Sequence, residues 1–435
     1  MSKNEKPNPR QDAYISKSEK LNLYQKAYMS KSEKLKLCAW IVLLGFLYSV
    51  VYHYIQGVYF GKGYPYSTYL FIPSDKWADF FGLTVMNKGM DPFNNNYMGF
   101  GNNYPPFCYL ALMPFTQLGY GPGSKIYASL FVLGFLYLMR RATKGSGGWR
   151  DDLMPLFIVC TLSYPFQFSI DRLNAENLIV LLVAGFYVCF HEGRSNRIAG
   201  SFVGIATGMK IYTGLFALAL FSEKRWRSIL GYTLIVAGLC TVFAFFALGV
   251  TPFEVQAAYA RSYPKFMEFT LSHQALQHTS SLFAAFRIVQ VLLNPADLNN
   301  SQAAAELFGI YQIIAVVLGF VLVTACVIGR LQVWERLTLA VVVILLLPPV
   351  SFDYKLMYVF IPLVAFLTAD TPRTWASVFC VLFGVLLIPK AWSILFLDVS
   401  AGVLINIFVL VLLALILVVR ACLPHNKVDI VKRVR

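Results

Sequence analysis

Long apolar runs recur along the chain between about residues 38 and 420. Several of them, such as 306–328 and 401–420, reach the roughly 20 residues that an α-helix needs to cross a bilayer. In the whole chain 57% of the residues are hydrophobic and 14% are charged, whereas soluble domains have roughly 25% charged residues. The runs are also much longer than the roughly 10-residue alternating segments of a transmembrane β-barrel. The chain is therefore predicted to be an all-α polytopic membrane protein.

The distribution of basic residues predicts the orientation. The formal net charge is +15, and the two ends carry much of it: residues 1–37 hold nine Lys and Arg against four acids, and residues 420–435 hold five against one. This is the pattern of cytoplasmic segments, so both termini are predicted to be cytoplasmic and no nucleic-acid partner is expected. The predicted organisation is a basic tail over 1–37, a single transmembrane domain over 38–420 and a second basic tail over 421–435.

The first tail contains an internal repeat, in which the pattern of residues 13–23 returns at 27–37. The offset of 14 residues is two heptads, so equivalent residues return to almost the same helix face. One interpretation is a basic amphipathic helix lying on an anionic leaflet. The other is a solvated, partly disordered tail, which is favoured because short amphipathic stretches are marginal in isolation.

The stretch 198–221 carries Lys210 near its centre and basic residues at both ends, Arg197 before it and 224–227 after it. A single straight span would separate the basic flanks and leave an ammonium at mid-bilayer, at a cost of roughly 2.5–3.5 kcal/mol. Two short helices folded back to the cytoplasm avoid both problems, with Lys210 near the bend. Such a hairpin is tolerated only where it is buried in protein or lines a cavity.

The remaining runs predict about ten full transmembrane helices, in addition to this hairpin. They are 38–58, 124–140, 153–170, 177–190, 228–249, 306–328, 337–350, 356–369, 374–389 and 401–420. Two shorter apolar segments, 105–118 and 281–293, predict interfacial helices in the outer loops, and 105–118 could also be a half-membrane segment. Chemistry outside the membrane must then be assembled from the outer loops, which are 58–119, 171–176, 250–305, 351–355 and 390–400.

Asp79 is the first candidate site residue. It lies in an aromatic string, 77–81, and a carboxylate in an apolar setting is a stronger base. A helix cap or a surface acid is the alternative interpretation of the same residue. With Asp75 and Asp91 it could in principle bind Ca²⁺ or Mn²⁺, but this pattern is unspecific and no metal is predicted.

A second polar cluster, 171–177, contains Asp171, Arg172, Asn174, Glu176 and Asn177 between two apolar runs. It could be a solvated hairpin tip, or a rim of donors and acceptors for sugar hydroxyls. Asp171 and Arg172 could also pair only with each other.

A third cluster contains Asp353 and Lys355, and a lysine at a helix end usually serves as an anchor that reaches the interface. Together with Arg261, His273 and His278, these two residues could instead form a cationic pocket for a phosphate group. Lys210 belongs to the same question, because an intramembrane lysine is a functional hypothesis by default.

Several enzyme classes lack their motifs in this chain. There is no HExxH, no GxxxxGK[ST], no GxSxG and no pair of histidines spaced for zinc, which disfavours metalloprotease, ATPase and serine-hydrolase activities. The eight cysteines show no CxxC spacing and no disulfide framework. Neither a cofactor nor a metal is expected.

Taken in order, several short motifs resemble those of glycosyltransferase family 87, polytopic mannosyltransferase-like proteins of the GT-C superfamily. The matching pieces are Asp79-Phe-Phe-Gly-Leu, Asp91-Pro-Phe, Tyr104-Pro-Pro106, Asn174 with Asn177-Leu-Ile-Val, the segment 199–212, His273-Gln-Ala-Leu and the segment 349–356. The resemblance covers about 40–370. It departs from the family in the late outer loop, where Ser351-Phe352-Asp353-Tyr354-Lys355 replaces a serine and tryptophan followed by histidines.

The resemblance implies a GT-C-like fold and an inverting transfer of one sugar, mannose or another hexose or pentose. The donor would be a polyprenyl-phosphate sugar and the acceptor a glycolipid or glycan, at the outer face of a bacterial plasma membrane. Asp79 would be the general base, and the donor phosphate would be bound by Lys210, Arg261 and Lys355. Residues implied to orient the sugar or acceptor are Tyr104, Arg172, Asn174, Asn177, Tyr212, His273 and Asp353.

Three other functions remain open at this level. A lipid-linked sugar flippase or transporter would commonly show inverted repeats, and none is visible in the sequence. A glycan polymerase or ligase also handles lipid carriers outside the membrane. A purely structural membrane subunit would not need a lysine at a hairpin bend.

Overall fold

The computed structural model describes residues 27–70, 76–87, 92–93, 104–143, 148–276, 278–394 and 399–422. The first copy of the tail repeat, Asp75, Asp91 and the tail after residue 422 lie outside the described residues. The predictions made for these parts of the chain therefore stay predictions.

The described residues form seventeen α-helices, numbered here in chain order. The first nine are α1 (Lys31–Tyr54), α2 (Ala78–Met86), α3 (Pro106–Thr116), α4 (Tyr120–Thr143), α5 (Met154–Thr161), α6 (Tyr164–Arg172), α7 (Glu176–His191), α8 (Asn196–Met209) and α9 (Leu215–Leu218). The other eight are α10 (Trp226–Leu248), α11 (Pro252–Leu271), α12 (Leu282–Leu293), α13 (Ser301–Ile328), α14 (Val333–Leu346), α15 (Phe360–Thr368), α16 (Arg373–Leu387) and α17 (Ala401–Cys422).

Shorter elements join these helices. The π-helical turns are Ile55–Tyr59 and Trp149–Leu153, and the 3₁₀ turns are Ile211–Gly214, His273–Leu276, Pro295–Asn299 and Asp353–Val359. One small antiparallel hairpin, β1 (Ser393–Ile394) with β2 (Val399–Ser400), precedes α17. Apart from this hairpin, the regular structure of the described residues is helical, which confirms the all-α class.

Five helices, α1, α4, α10, α13 and α17, are long and apolar enough to cross a membrane. The pair α5 and α6 would be a sixth span, bent by 51° between its two halves. Other predicted spans are also helical but shorter: α7 has 16 residues, α14 has 14 and α16 has 15. The prediction of about ten full spans therefore stays a prediction.

The outward faces of the long helices are apolar. Within the most apolar stretch of α10 and of α13, only 17% of the residues are buried inside the protein, and Phe246 on α10 is 82% exposed. Apolar surface of this extent on a soluble monomer would be an interaction site or an aggregation hazard. It is compatible with a multi-pass membrane protein, in which lipid covers these faces. In contrast, almost all of α14 and α15 is buried, so these two helices form the centre of the bundle.

The helix α1 begins at Lys31, earlier than the predicted start at 38. Ser30 accepts a hydrogen bond from the backbone N–H of Glu33, and the Glu33 side chain accepts one from the backbone N–H of Ser30. This capping box satisfies two amides that the helix start leaves without partners. The second copy of the tail repeat thus contains the start of the first apolar helix.

Ion pairs gather several polar turns at one end of the bundle. Lys31 lies 2.7 Å from Asp152 before α5, and Glu33 lies 2.7 Å from Arg373 at the start of α16. The Lys31 ammonium also donates to the backbone carbonyl of Thr143 at the end of α4. The start of α1, the turn after α4 and the turn before α16 therefore lie together, as expected for turns predicted to share one side of the membrane.

The hairpin predicted around Lys210 is present. Helix α8 ends at Met209, Lys210 has an extended backbone, and the chain continues through Ile211–Gly214 into the short α9. The guanidinium of Arg225 contacts the Asn196 side chain and the Arg194 carbonyl. The two basic flanks thus lie at the same end, which confirms that this segment does not cross in one straight span.

Both of the long loops that were predicted to be outer loops contain helices. The loop 58–119 contains α2 and α3, and the loop 250–305 contains α11 and α12. Both short apolar segments predicted as interfacial are helices, α3 and α12. The 20-residue helix α11 was not predicted from the sequence.

Candidate active site

The start of α2 positions Asp79. The backbone N–H of Trp77 donates to the Asp171 carbonyl at 2.7 Å, which docks this helix start against the end of α6. Phe80 is buried and stacks on Tyr127, with ring centroids 5.6 Å apart. The first turn of α2 is therefore fixed on both sides of Asp79, by Trp77 before it and by Phe80 after it.

Polar donors surround the carboxylate of Asp79. The Arg172 guanidinium contacts one carboxylate oxygen, and the Asn174 amide donates to the other at 2.8 Å. The side chain is 19% exposed. The apolar setting expected from the aromatic string does not surround the carboxylate, because those rings pack against the helices while Asp79 faces the turn after α6.

Asn174 connects this ion pair to its neighbours. Its amide also donates to the Tyr104 hydroxyl at 3.1 Å, and its oxygen accepts from the backbone N–H of Glu176 at 3.1 Å. Four residues predicted from three separate segments of the chain, Asp79, Tyr104, Arg172 and Asn174, are thus brought into direct contact.

Glu176 is the functional residue that sequence reasoning missed. It is fully buried at the start of α7, and its carboxylate accepts hydrogen bonds from Lys210 at 2.6 Å, from Tyr358 at 2.5 Å and from Tyr212. The sequence does contain a signal for it, because a lysine inside an apolar segment needs a partner of opposite charge, and Glu176 is an acid in the polar turn 171–177.

Two lysines face this buried carboxylate. The Lys210 ammonium lies 4.7 Å from the centroid of the Tyr104 ring, and its side chain is 14% exposed. The Lys355 ammonium lies 5.3 Å from the centroid of the Tyr212 ring and interacts electrostatically with both Glu176 and Lys210. Aromatic faces attract cations, so each ammonium group is stabilised by at least one ring and by the negative charge of Glu176.

We call this group of contacting residues the charged cluster. It consists of Asp79, Tyr104, Arg172, Asn174, Glu176, Lys210, Tyr212, Lys355 and Tyr358. Three cations face two carboxylates within it, so the cluster has an excess of positive charge. An anion of the phosphate type would complete its charge balance.

The charged cluster lies far from the ion-paired turns described above. The Tyr127 hydroxyl near the start of α4 donates to the Asn174 carbonyl at 2.9 Å, whereas Thr143 at the other end of α4 contacts Lys31. The intervening helix is about 24 Å long at 1.5 Å per residue. The cluster and the Lys31 turn are therefore at opposite ends of the bundle.

Backbone strain is concentrated around this region. In the part of the chain that the structure describes, three non-glycine residues have positive φ: Trp77 at 61°, Leu173 at 48° and His278 at 52°. Trp77 precedes Asp79 by two residues, and Leu173 lies between Arg172 and Asn174. Residues in such sparsely populated conformations tend to cluster at functional sites.

Asp353 forms a separate buried network beside the charged cluster. Its carboxylate accepts from Ser280 at 2.6 Å and from the Tyr164 hydroxyl at 3.0 Å, and its backbone N–H donates to the His278 carbonyl. These bonds join the loop before α12 to the loop before α15. Direct sugar binding by Asp353 stays a prediction, because each of its oxygens accepts one hydrogen bond inside the protein and keeps a second lone pair.

His278 does not add charge to a phosphate pocket. Its ring contacts the hydroxyls of Tyr64 and Tyr164, at 3.1 Å and 3.4 Å. Burial, together with the nearby Arg172 guanidinium, lowers the pKa of His278 to about 4. The imidazole is therefore neutral near pH 7, and the hypothesis of a cationic pocket that includes His278 is not supported.

The other predicted residues make different contacts. The Asn177 amide donates to the Ser169 carbonyl at 3.0 Å, which ties α7 to α6. Arg261 lies on an exposed face of α11 and donates to the Phe93 carbonyl at 3.4 Å. His273 opens the 3₁₀ turn at the end of α11. The described residues contain no group of three or more His, Cys, Asp or Glu that could hold a metal ion.

Comparison with known families gives a match. The model of glycosyltransferase family 87 matches residues 102–349, more than half of the chain. The matched range includes Tyr104, Arg172, Asn174 and Lys210, while Asp79 precedes it. Comparisons with curated proteins and with solved structures gave no match.

Proposed function

The chain belongs to glycosyltransferase family 87, and we propose that it transfers one sugar, with inversion, from a polyprenyl-phosphate donor to a hydroxyl of a glycolipid or glycan. The observation that carries this proposal is the charged cluster, which combines a partly exposed carboxylate with two neighbouring lysines. Transfer from a lipid phosphate needs those two functions: a base for the incoming hydroxyl, and positive charge for the departing phosphate.

Asp79 is the proposed general base. The acceptor oxygen forms a bond to the anomeric carbon while the bond from that carbon to the phosphate oxygen breaks, and the electron pair leaves with the phosphate. The hydroxyl proton passes to Asp79. Each carboxylate oxygen has two lone pairs, so the contacts to Arg172 and Asn174 fix the orientation of the carboxylate and leave room for the acceptor hydroxyl.

Lys210 and Lys355 are the proposed ligands of the phosphate. An ammonium group has three N–H donors, and Lys210 directs one of them to Glu176. Arg261 is a third candidate, which would meet the phosphate only from the exposed side of α11. Tyr104, Asn174 and Tyr212 present hydroxyl and amide groups for orienting the sugar, with His273 as a further candidate. Asp353 and Asn177 would support the site through the loops and helices that they join.

The proposed location is the outer face of a bacterial plasma membrane, with both termini in the cytoplasm. It is supported by the basic turns at the opposite end of the bundle from the cluster, because an excess of Lys and Arg favours the cytoplasmic side. The sugar itself could be mannose or another hexose or pentose. No cofactor is proposed, because the lipid-linked donor supplies the activated bond.

The test uses the purified protein with polyprenyl-phosphate sugars and crude glycolipid acceptors, and follows the glycosylated product. Asp79→Asn should lower turnover by roughly 10²–10⁴-fold, the usual contribution of a general base. Asp370→Asn, at an exposed position in the turn before α16, is the matched control and should keep full turnover. A normally folded Asp79→Asn variant with full turnover would refute the assignment. Movement of labelled lipid without any new glycosidic bond would favour a flippase instead.

A further inference from the structure

Glu176 is the fully buried carboxylate of the charged cluster. A buried carboxylate is costly unless it is paired and hydrogen-bonded. Glu176 receives three hydrogen bonds, from Lys210, Tyr212 and Tyr358, and has Lys355 as a second nearby cation. The carboxylate is therefore the internal anion around which both lysines are arranged.

The position of Lys210 connects this buried anion to the exposed side of the cluster. Glu176 is fully buried, but Lys210 is 14% exposed and also lies over the ring of Tyr104. Tyr104 in turn contacts Asn174, which holds Asp79. A phosphate approaching Lys210 from the Asp79 side would thus meet an ammonium whose other side is already engaged by a carboxylate.

We propose that Glu176 is a positioning residue: it is the resident counterion of Lys210 and Lys355, and it limits how tightly the lipid phosphate binds. The inference rests on the proposed function, because it takes the two lysines as phosphate ligands. With Glu176 present, the lysines are held in place without an anionic ligand, and their attraction for the departing lipid phosphate is partly offset. The consequence is faster release of the polyprenyl phosphate after transfer.

Glu176→Gln tests this role with little change of shape. The glutamine oxygen can still accept from Lys210 and Tyr212, and its NH₂ group can donate to the Tyr358 hydroxyl, so only the charge is removed. The measurement is the affinity of the purified full-length protein in detergent for farnesyl phosphate, which mimics the released product. We expect Glu176→Gln to bind about tenfold tighter at low salt, because one nearby negative charge is lost. The gain should shrink at high salt.

Glu335→Gln is the matched control, because it removes one negative charge from a buried carboxylate that lies outside the charged cluster and pairs with Arg420 at 2.8 Å. It should leave the farnesyl phosphate affinity within about twofold of wild type, since that carboxylate pairs with Arg420 and with no lysine of the charged cluster. In turnover assays, Glu176→Gln should lower both the KM for the donor and kcat, because product release slows. A purely structural role would not tighten binding.

Unchanged or weaker farnesyl phosphate binding by a folded Glu176→Gln variant would overturn the inference. If that variant does not fold, the double variant Lys210→Gln with Glu176→Gln is compared with Lys210→Gln alone. The double variant should bind more tightly, because Lys355 then loses its counterion; equal affinity would also overturn the inference. If the wild-type protein itself does not bind farnesyl phosphate, the lipid-phosphate donor of the proposed function fails as well.

Discussion

Buried cations have two different uses in this protein, and individual contacts distinguish them. Lys34 donates to the Phe366 carbonyl at 3.1 Å, Lys390 to the Ile388 carbonyl at 2.9 Å, and Arg336 to the Cys326 carbonyl at 2.9 Å. These are carbonyls near the ends of α15, α16 and α13, where cations are favoured by the helix dipole. Lys210 instead contacts the carboxylate of Glu176, and it is this difference that favours the proposed phosphate-binding role for Lys210 alone among these buried cations.

The residues of the charged cluster could be predicted from the sequence only in part. Asp79, Arg172, Asn174 and Lys210 stand out locally, because each is polar beside an apolar run. The partners that bury Glu176 come from distant segments, since Tyr358 is on the 3₁₀ turn before α15. Local sequence places Glu176 in a polar turn and contains no information about such tertiary contacts.

Asn174→Asp tests whether Asn174 positions the general base. The substitution removes the N–H donor to Asp79 and places a second carboxylate in contact with it. We expect kcat to fall by about 10²-fold, as when one preorganised donor is lost. The activity profile should also move to higher pH, because two adjoining carboxylates retain a proton more strongly. The control is Asn299→Asp at an exposed position, which should change neither. An unshifted pH profile would argue against the positioning role.

At the level of helices, one bend decides where a site residue lies. The sequence predicts a single span over 153–170, but the chain bends by 51° between α5 and α6. Ser163 has an extended backbone, and Pro165 in the first turn of α6 has no N–H to donate to the carbonyl of Thr161 four residues earlier. The helix α5 therefore cannot continue without a break into α6. The bend directs the end of α6, with Arg172, to Asp79. The apolar pattern of residues 153–170 alone does not predict this bend.

Glycines on one face of α8 determine how the hairpin packs. Gly200, Gly204 and Gly208 recur every four residues, and a Cβ atom at Gly204 would lie 2.8 Å from the Cβ atom of Val236 on α10. Such small residues let helix backbones approach closely in a membrane. This packing fixes α8, and with it the lysine that follows its last turn.

Gly204→Leu should therefore destabilise the protein. The leucine has no space at the α8–α10 contact, and overpacking typically costs about 1–3 kcal/mol. The thermal unfolding midpoint of the purified protein in detergent is the measurement, and it should fall. Gly238→Leu on α10 is the matched control, because a Cβ atom there meets nothing within 4 Å. Equal effects of both substitutions would contradict this account of the packing.

At the scale of the whole molecule, the order of the short motifs along the chain was more informative about the family than any single motif. The family resemblance drawn from these motifs is confirmed by the family match over residues 102–349. The number of spans was harder to predict, because α7, α14 and α16 are apolar yet shorter than the roughly 20 residues of a full span. Helices enclosed by other helices, such as α14 and α15, need not match the bilayer thickness individually. Hydropathy therefore predicts that the chain is a membrane protein better than it predicts the number of spans.

The orientation of the bundle can be tested by cysteine labelling in intact cells. Lys76 is exposed beside the start of α2, and Arg194 is exposed in the turn before α8, at the opposite end from the charged cluster. In a background with the exposed Cys422 replaced by serine, an impermeant thiol reagent should label Lys76→Cys directly. It should label Arg194→Cys only after the cells are permeabilised, because basic turns favour the cytoplasm. The opposite pattern would place the charged cluster on the cytoplasmic side, where a nucleotide sugar rather than a lipid-linked sugar would be the expected donor.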